Sequence, residues 1–192
     1  MTTDLLNNEH VRVAVKQADK KGWIPLHYAA KMGNIYLTEL LLKKDENTAY
    51  MQDNEGRTAL HIAADIGSWC IVEMIIKYYP DCSEIVDNKG WNALHYAVNG
   101  GKQNTILGIM SNLSLSNLYN EKDVNGNTAL HHLPNSNIVA CHKLVDHPRV
   151  DKLAVNKKDQ TVLDVAYDRT EGPAPDILHK LIGKVNMILH NL

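Results

Sequence analysis

The sequence predicts an all-α solenoid of helix-turn-helix units, and three observations carry that prediction. A short phrase recurs as GWIPLHYAA (Gly22 to Ala30), GRTALHIAA (Gly56 to Ala64), GWNALHYAV (Gly90 to Val98) and GNTALHHLP (Gly126 to Pro134). Its anchors His27, His61, His95, His131 and, in the degraded copy DQTVLDVAY, Asp164 step by 34, 34, 36 and 33 residues. Asp19, Asp53, Asp87 and Asp123 stand three residues before the four glycines, and Asn156 and Asp159 take those two places in the fifth copy. A unit of that length is one supersecondary element, which buries its faces only by stacking on its neighbours.

Each element follows from local chemistry. D-x-x-G is a turn, with the aspartate bonding locally and the glycine free to adopt φ > 0. Thr58, Asn92 and Thr128 occupy helix N-cap positions and Pro25 suits a first helical turn, whereas Ile24 cannot cap. Gly33, Gly67 and Gly100–Gly101 predict a second turn, and IYLTELLL (Ile35 to Leu42) and WCIVEMII (Trp69 to Ile76) predict second, apolar helices. The units read as 19–52, 53–86, 87–122 with a longer outer loop near 111–120, an irregular 123–155, and a capping unit 156–192. Residues 1–18 read as the tail of a preceding repeat, cut from a longer array, and a second copy could stack on that amino end. Pro134 should shorten the first helix of the fourth unit, and DILHKLIGKVNMIL should form a terminal amphipathic helix with Gly183 as a weak point. Trp69, on a second helix, reads as core. Tyr28, Ile62 and Tyr96 share a register position and read as packing between repeats.

Period and wording resemble the ankyrin repeat, a turn followed by T-P-L-H-x-A and two helices. That resemblance implies that the recurring histidine braces the turn and helix start, so His27, His61, His95 and His131 are architectural. The order of DCSEIVDNKGWNALHYAVNGG, EKDVNGNTALHHL and VDKLAVNKKDQTVLDVA, within residues 19 to 168, is similar to plant ankyrin-repeat membrane proteins of the accelerated-cell-death type. This likeness implies a cytosolic domain, at a membrane face, in defence, cell-death or stress signalling. The chain departs from it at HHLPNS, and it contains no spanning segment.

The resemblance also implies where a partner sits: the finger tips and the exposed side of the first helices. By register the tip residues include Lys20, Lys21 and Trp23, Glu55 and Arg57, Lys89 and Trp91, and Asn127. The first-helix positions are Lys31 and Met32, Asp65 and Ile66, and Asn99. Trp23, Arg57 and Trp91 occupy equivalent positions, which predicts a row of interface anchors. The lysines around them favour an acidic protein partner.

The alternative is a metal or ligand site in the cluster His131, His132, Cys141, His142 and His147. Its adjacent HH and CH pairs point to different sides of a helix, without the C-x-x-C or H-x-x-x-H spacing that converges ligands. A phosphate-binding glycine loop is likewise not spelled out. The sequence therefore reads as non-catalytic and without a cofactor. Net charge of −2 over 192 residues argues against nucleic acid. Three cysteines without paired spacing fit a reducing compartment better than a disulfide framework. The opening MTTDLLNNEHVRVAVK lacks the apolar core of a signal peptide, and no stretch approaches the ~20 apolar residues of a bilayer span.

Overall fold

The structure, a computed structural model, describes residues 13–133, 139–168 and 175–190. Most of the presumed remnant (1–12), Pro134, and Gly172 with Pro173 lie outside the described residues. The described chain is an all-helical array. Three regular units pair α1 (Pro25–Lys31) with α2 (Ile35–Lys44), α3 (Ala59–Ile66) with α4 (Trp69–Tyr78), and α5 (Ala93–Asn99) with α6 (Gln103–Ser111). Each ends in a 3-10 segment: Glu46–Tyr50, Pro80–Glu84 and Leu113–Tyr119. The fourth unit has a 3-10 turn, Ala129–His132, then α7 (Val139–Asp146). The last has α8 (Val162–Asp168) and α9 (Pro175–His190).

The first helices are short and alanine-rich because they are packed from both sides. Ala29, Ala30, Ala63, Ala64 and Ala97 are fully buried, which lets α1, α3 and α5 approach closely, while Leu26, Leu60, Leu94 and Leu130 run through the core behind them. The second helices bury one stripe: Ile71, Val72, Ile75 and Ile76 on α4, and Ile106 and Ile109 on α6. Fully burying one such side chain stabilises by about 1.5–3 kcal/mol, and losing the neighbouring unit would expose it again.

Three expectations are corrected. The extra length of the third unit is not an outer loop. It lengthens the 3-10 segment from five residues to seven, and Leu115, Leu118 and Tyr119 are buried there. Serines and asparagines disguised it because their polar side chains face out between the apolar ones. The terminal helix runs unbroken through Gly183, since Ile177, Leu181 and Val185 bury one continuous stripe across it and tertiary packing outweighs the ~1 kcal/mol helix cost of one glycine. Trp69 is only partly buried. Its indole lies flat on α6 at Gly108, where an added Cβ would meet the ring at 2.2 Å. The glycine that blurred the sequence pattern of α6 is the seat of that ring.

Candidate partner interface

The five fingers share one backbone. In the first four, the aspartate Oδ1 accepts from the amides two and four residues on, as in Lys21 and Trp23 onto Asp19 and in Asn125 and Asn127 onto Asp123. Asn156 Oδ1 does the same for Lys158 and Gln160. The turn then needs a left-handed residue: Gly22, Gly56, Gly90 and Gly126 have φ of 76° to 81°, and Asp159 takes it at 57°. A Cβ on the first four would also strike the next finger's backbone within 3 Å. Adjacent fingers are tied by Asn54, Asn88, Val124 and Lys157, whose amides donate to Lys21, Glu55, Lys89 and Asn125 carbonyls at 2.9–3.0 Å.

The histidines lock this ladder to the helices. Each Nδ1 accepts from the backbone N–H three residues earlier, at Ile24, Thr58, Asn92 and Thr128. That satisfies an orphan helix-start donor and supplies, in the first unit, the cap that Ile24 cannot. With Nδ1 accepting, Nε2 carries the proton. His27 Nε2 donates to Arg57 O at 3.0 Å, and His95 Nε2 to Asn127 O at 3.3 Å, so these two rings reach the next finger. Burial pushes the imidazoles down, His61 and His95 to about 4, which keeps them neutral.

This geometry is a turn, a histidine-capped first helix and a second helix, repeated with register bonds between copies. A family model for ankyrin repeats (3 copies) matches residues 46–117, and a model for a single ankyrin repeat matches residues 21–54. The chain belongs to the ankyrin-repeat family. No curated protein gives a significant match. Ankyrin repeats are generally protein-binding modules and typically non-catalytic.

Within this ankyrin array the tryptophans do not form the exposed row that register suggests. Trp23 is only 9% exposed, and its Nε1 donates to Asp53 Oδ2 of the next finger at 2.9 Å. Arg57 Nε and Nη2 converge on the same oxygen at 2.9 and 2.8 Å, and its guanidinium lies over the Trp23 ring. Burial alone would raise Asp53, but these bonds hold its carboxyl below the usual range. Trp91 is partly buried; its Nε1 donates to Asp123 Oδ2 at 3.2 Å, and its ring packs on Tyr96 and His132. An indole at this position reaches exactly one finger along, so its polar handle is spent inside the ladder. Trp23 is thus corrected from contact to cement, and Arg57 and Trp91 present only an edge. Asn127 is half-buried, donating weakly to Asp123.

The remaining predicted residues are on the surface. Lys20, Lys21, Lys31, Glu55, Asp65, Lys89 and Asn99 are exposed, and so are Met32, at 72%, and Ile66, at 41%. Sequence reasoning missed Tyr28. Ile62 and Tyr96 pack between repeats as expected, but Tyr28 is 44% exposed, with its hydroxyl on Asp19 Oδ2. Its place in the first described unit was the available signal. Sequence reasoning also missed an open groove of about 590 Å³ on the second-helix face, bordered by Trp69, Leu107, Met110 and Lys143.

The histidine-cysteine cluster does not converge. His131 is buried at the fourth helix start on Thr128, Cys141 is buried, and His147 packs its ring on Tyr119. His132 Nε2 lies 3.1 Å from Asp123 Oδ2. Among the described residues, no group of three or more histidine, cysteine or acidic side chains could hold a metal ion. Burial pushes the Cys82 and Cys141 thiols up to about 12, far from nucleophilic. Among the described residues, no helix is long and apolar enough to cross a membrane.

Proposed function

We propose that this ankyrin array holds a protein partner against the exposed first-helix positions and finger tips of its first three units. One observation carries the reading. Met32 and Ile66 stand exposed one repeat apart, at the same register position of adjacent first helices, with Tyr28 exposed beside them. Apolar side chains repeated at one register are worth more to a partner than single ones scattered over a surface. Lys31 adjoins Met32 in sequence, and Lys20, Lys21 and Lys89 stand exposed on the finger tips beside Glu55; their positive charge suits an acidic partner and speeds its encounter. Trp23, Arg57 and Trp91 hold the fingers that present these residues.

The finer context rests on the order of the repeat phrases noted above. On that resemblance the array is the cytosolic ankyrin domain of a plant membrane-associated protein in defence, cell-death or stress signalling. A quantitative pull-down from plant extract tests both levels, using the wild-type chain, Met32→Asp/Ile66→Asp, and Tyr36→Asp at the exposed start of α2 as a surface control. Proteins lost with the double variant and retained with the control support the face. Equal retention by all three would sink it. Captured partners that are exclusively unrelated to membranes or defence would remove the finer context and leave the face standing.

A further inference from the structure

The junction between the fourth and fifth fingers differs from the earlier ones, and the difference makes a pocket. At the position after the finger glycine, the first three units place Trp23, Arg57 and Trp91, which fill the space above the fingers and bond to finger carboxylates. The fourth and fifth place Asn127 and Gln160. These are too short to fill it, and a notch of about 370 Å³ opens between the two tips. Its chemistry is inverted as well. Where the second, third and fourth fingers carry an aspartate, the fifth carries Asn156. Its Nδ2 donates to Asn127 Oδ1 at 3.0 Å, at the place where Asp53 and Asp123 offer an accepting oxygen.

The charged side chains that line the notch are both lysines. Lys157 and Lys158 are exposed on the fifth tip, and among the described residues neither ammonium group has an ion pair. The Asn125 side chain, exposed on the fourth tip, also lines the opening. The carboxylates beside it are already engaged: Asp123 accepts from the Asn125 and Asn127 amides at 2.8 and 2.9 Å, and Asp168 from Gln160 Nε2 at 2.6 Å. A ligand that brings two accepting oxygens and one negative charge would satisfy what the notch leaves open, with charge-assisted bonds.

We infer that the notch between the fourth and fifth fingers is a subsite for an acidic side chain, a glutamate or aspartate, of a protein partner. This rests on the finger face as the partner surface and extends it to the carboxyl end of the array. The carboxylate takes the place that finger aspartates fill in the earlier units. It pairs with Lys157 and Lys158 and accepts from the Asn125 amide.

The test is a ¹⁵N-resolved NMR titration of the full chain with acetyl-Glu-Glu-amide, against acetyl-Gln-Gln-amide. Saturable shifts of the Asn125 and Asn156 side-chain amides and of the Lys157 and Lys158 backbone amides are expected with the acidic peptide alone. Lys157→Gln/Lys158→Gln, at exposed positions, should weaken binding roughly tenfold, while Lys77→Gln, exposed on α4, leaves it intact. Shifts that do not saturate, that follow both peptides equally, or that vanish with the Lys77→Gln variant instead would overturn the subsite. The pull-down on Met32 and Ile66 reads the finger face separately, so either idea can fail without the other.

Discussion

The first fingers and the last two share a backbone turn but are held together by different side chains. Between the first and second, an indole N–H and a guanidinium meet on Asp53, and the Asn54 side chain reaches back to the Lys20 carbonyl at 2.9 Å. Between the third and fourth, Trp91 bridges to Asp123. Between the fourth and fifth, an amide-amide bond does that work, beside Lys122 Nζ donating to the Val155 carbonyl. The backbone bonds differ by no more than 0.1 Å across all four junctions. Register is therefore a property of the turn, and cohesion is a property of the side chain after the glycine. Where that side chain shrinks, the array opens a polar notch.

Acid should break this comparison most strongly. The His61 and His95 imidazoles bind a proton near 6.5 when unfolded and only near 4 when buried in the fold. The unfolded chain then holds more protons between those values. Stability is complete above about pH 6.5, falls as pH drops through that window, and levels off below about 4. Each ring contributes about 3 kcal/mol to the loss. Urea midpoints measured from pH 7.5 to 4 should fall steeply, with the middle units leading. A flat profile down to pH 5 would contradict the buried, neutral caps.

Side-chain truncation sharpens the same contrast. Trp23→Ala removes a buried ring and leaves Asp53 short of a donor, a loss of about 3–4 kcal/mol in urea unfolding. Asn127→Ala, at the equivalent position of the fourth finger, should lose only about 1 kcal/mol, since it removes one neutral amide-amide bond to Asn156 at 3.0 Å and a long donation to Asp123 at 3.4 Å. Comparable losses would mean the two regions are equally cemented. The smallest effect is at the fifth turn. Asp159→Gly relieves a left-handed non-glycine residue and should raise the unfolding free energy by about 1 kcal/mol.

Much of the fold was legible because ankyrin chemistry is local. An aspartate, a glycine and a histidine at fixed offsets specify a turn and a capped helix without reference to the rest of the chain, as Asp53, Gly56 and His61 do. The errors were at residues whose role depends on a neighbour one repeat away. Whether Trp23 meets water or Asp53 is decided by how far an indole reaches along the stack. Gly108 reads as a flaw until Trp69 is laid on it. For the candidate site, Met32, Ile66 and the tip lysines were readable from register, whereas the notch was not. It is made by side chains that are missing from a pattern, and volume is visible only when the units are stacked.

The most direct test of side-chain cohesion is native-state hydrogen exchange of the four amides that tie the fingers, Asn54, Asn88, Val124 and Lys157. Lys157 should exchange roughly tenfold faster than Asn54, or more, because the fifth finger can lift without breaking an indole bridge. Uniform protection, or Lys157 as the slowest of the four, would contradict the account and return cohesion to the backbone alone.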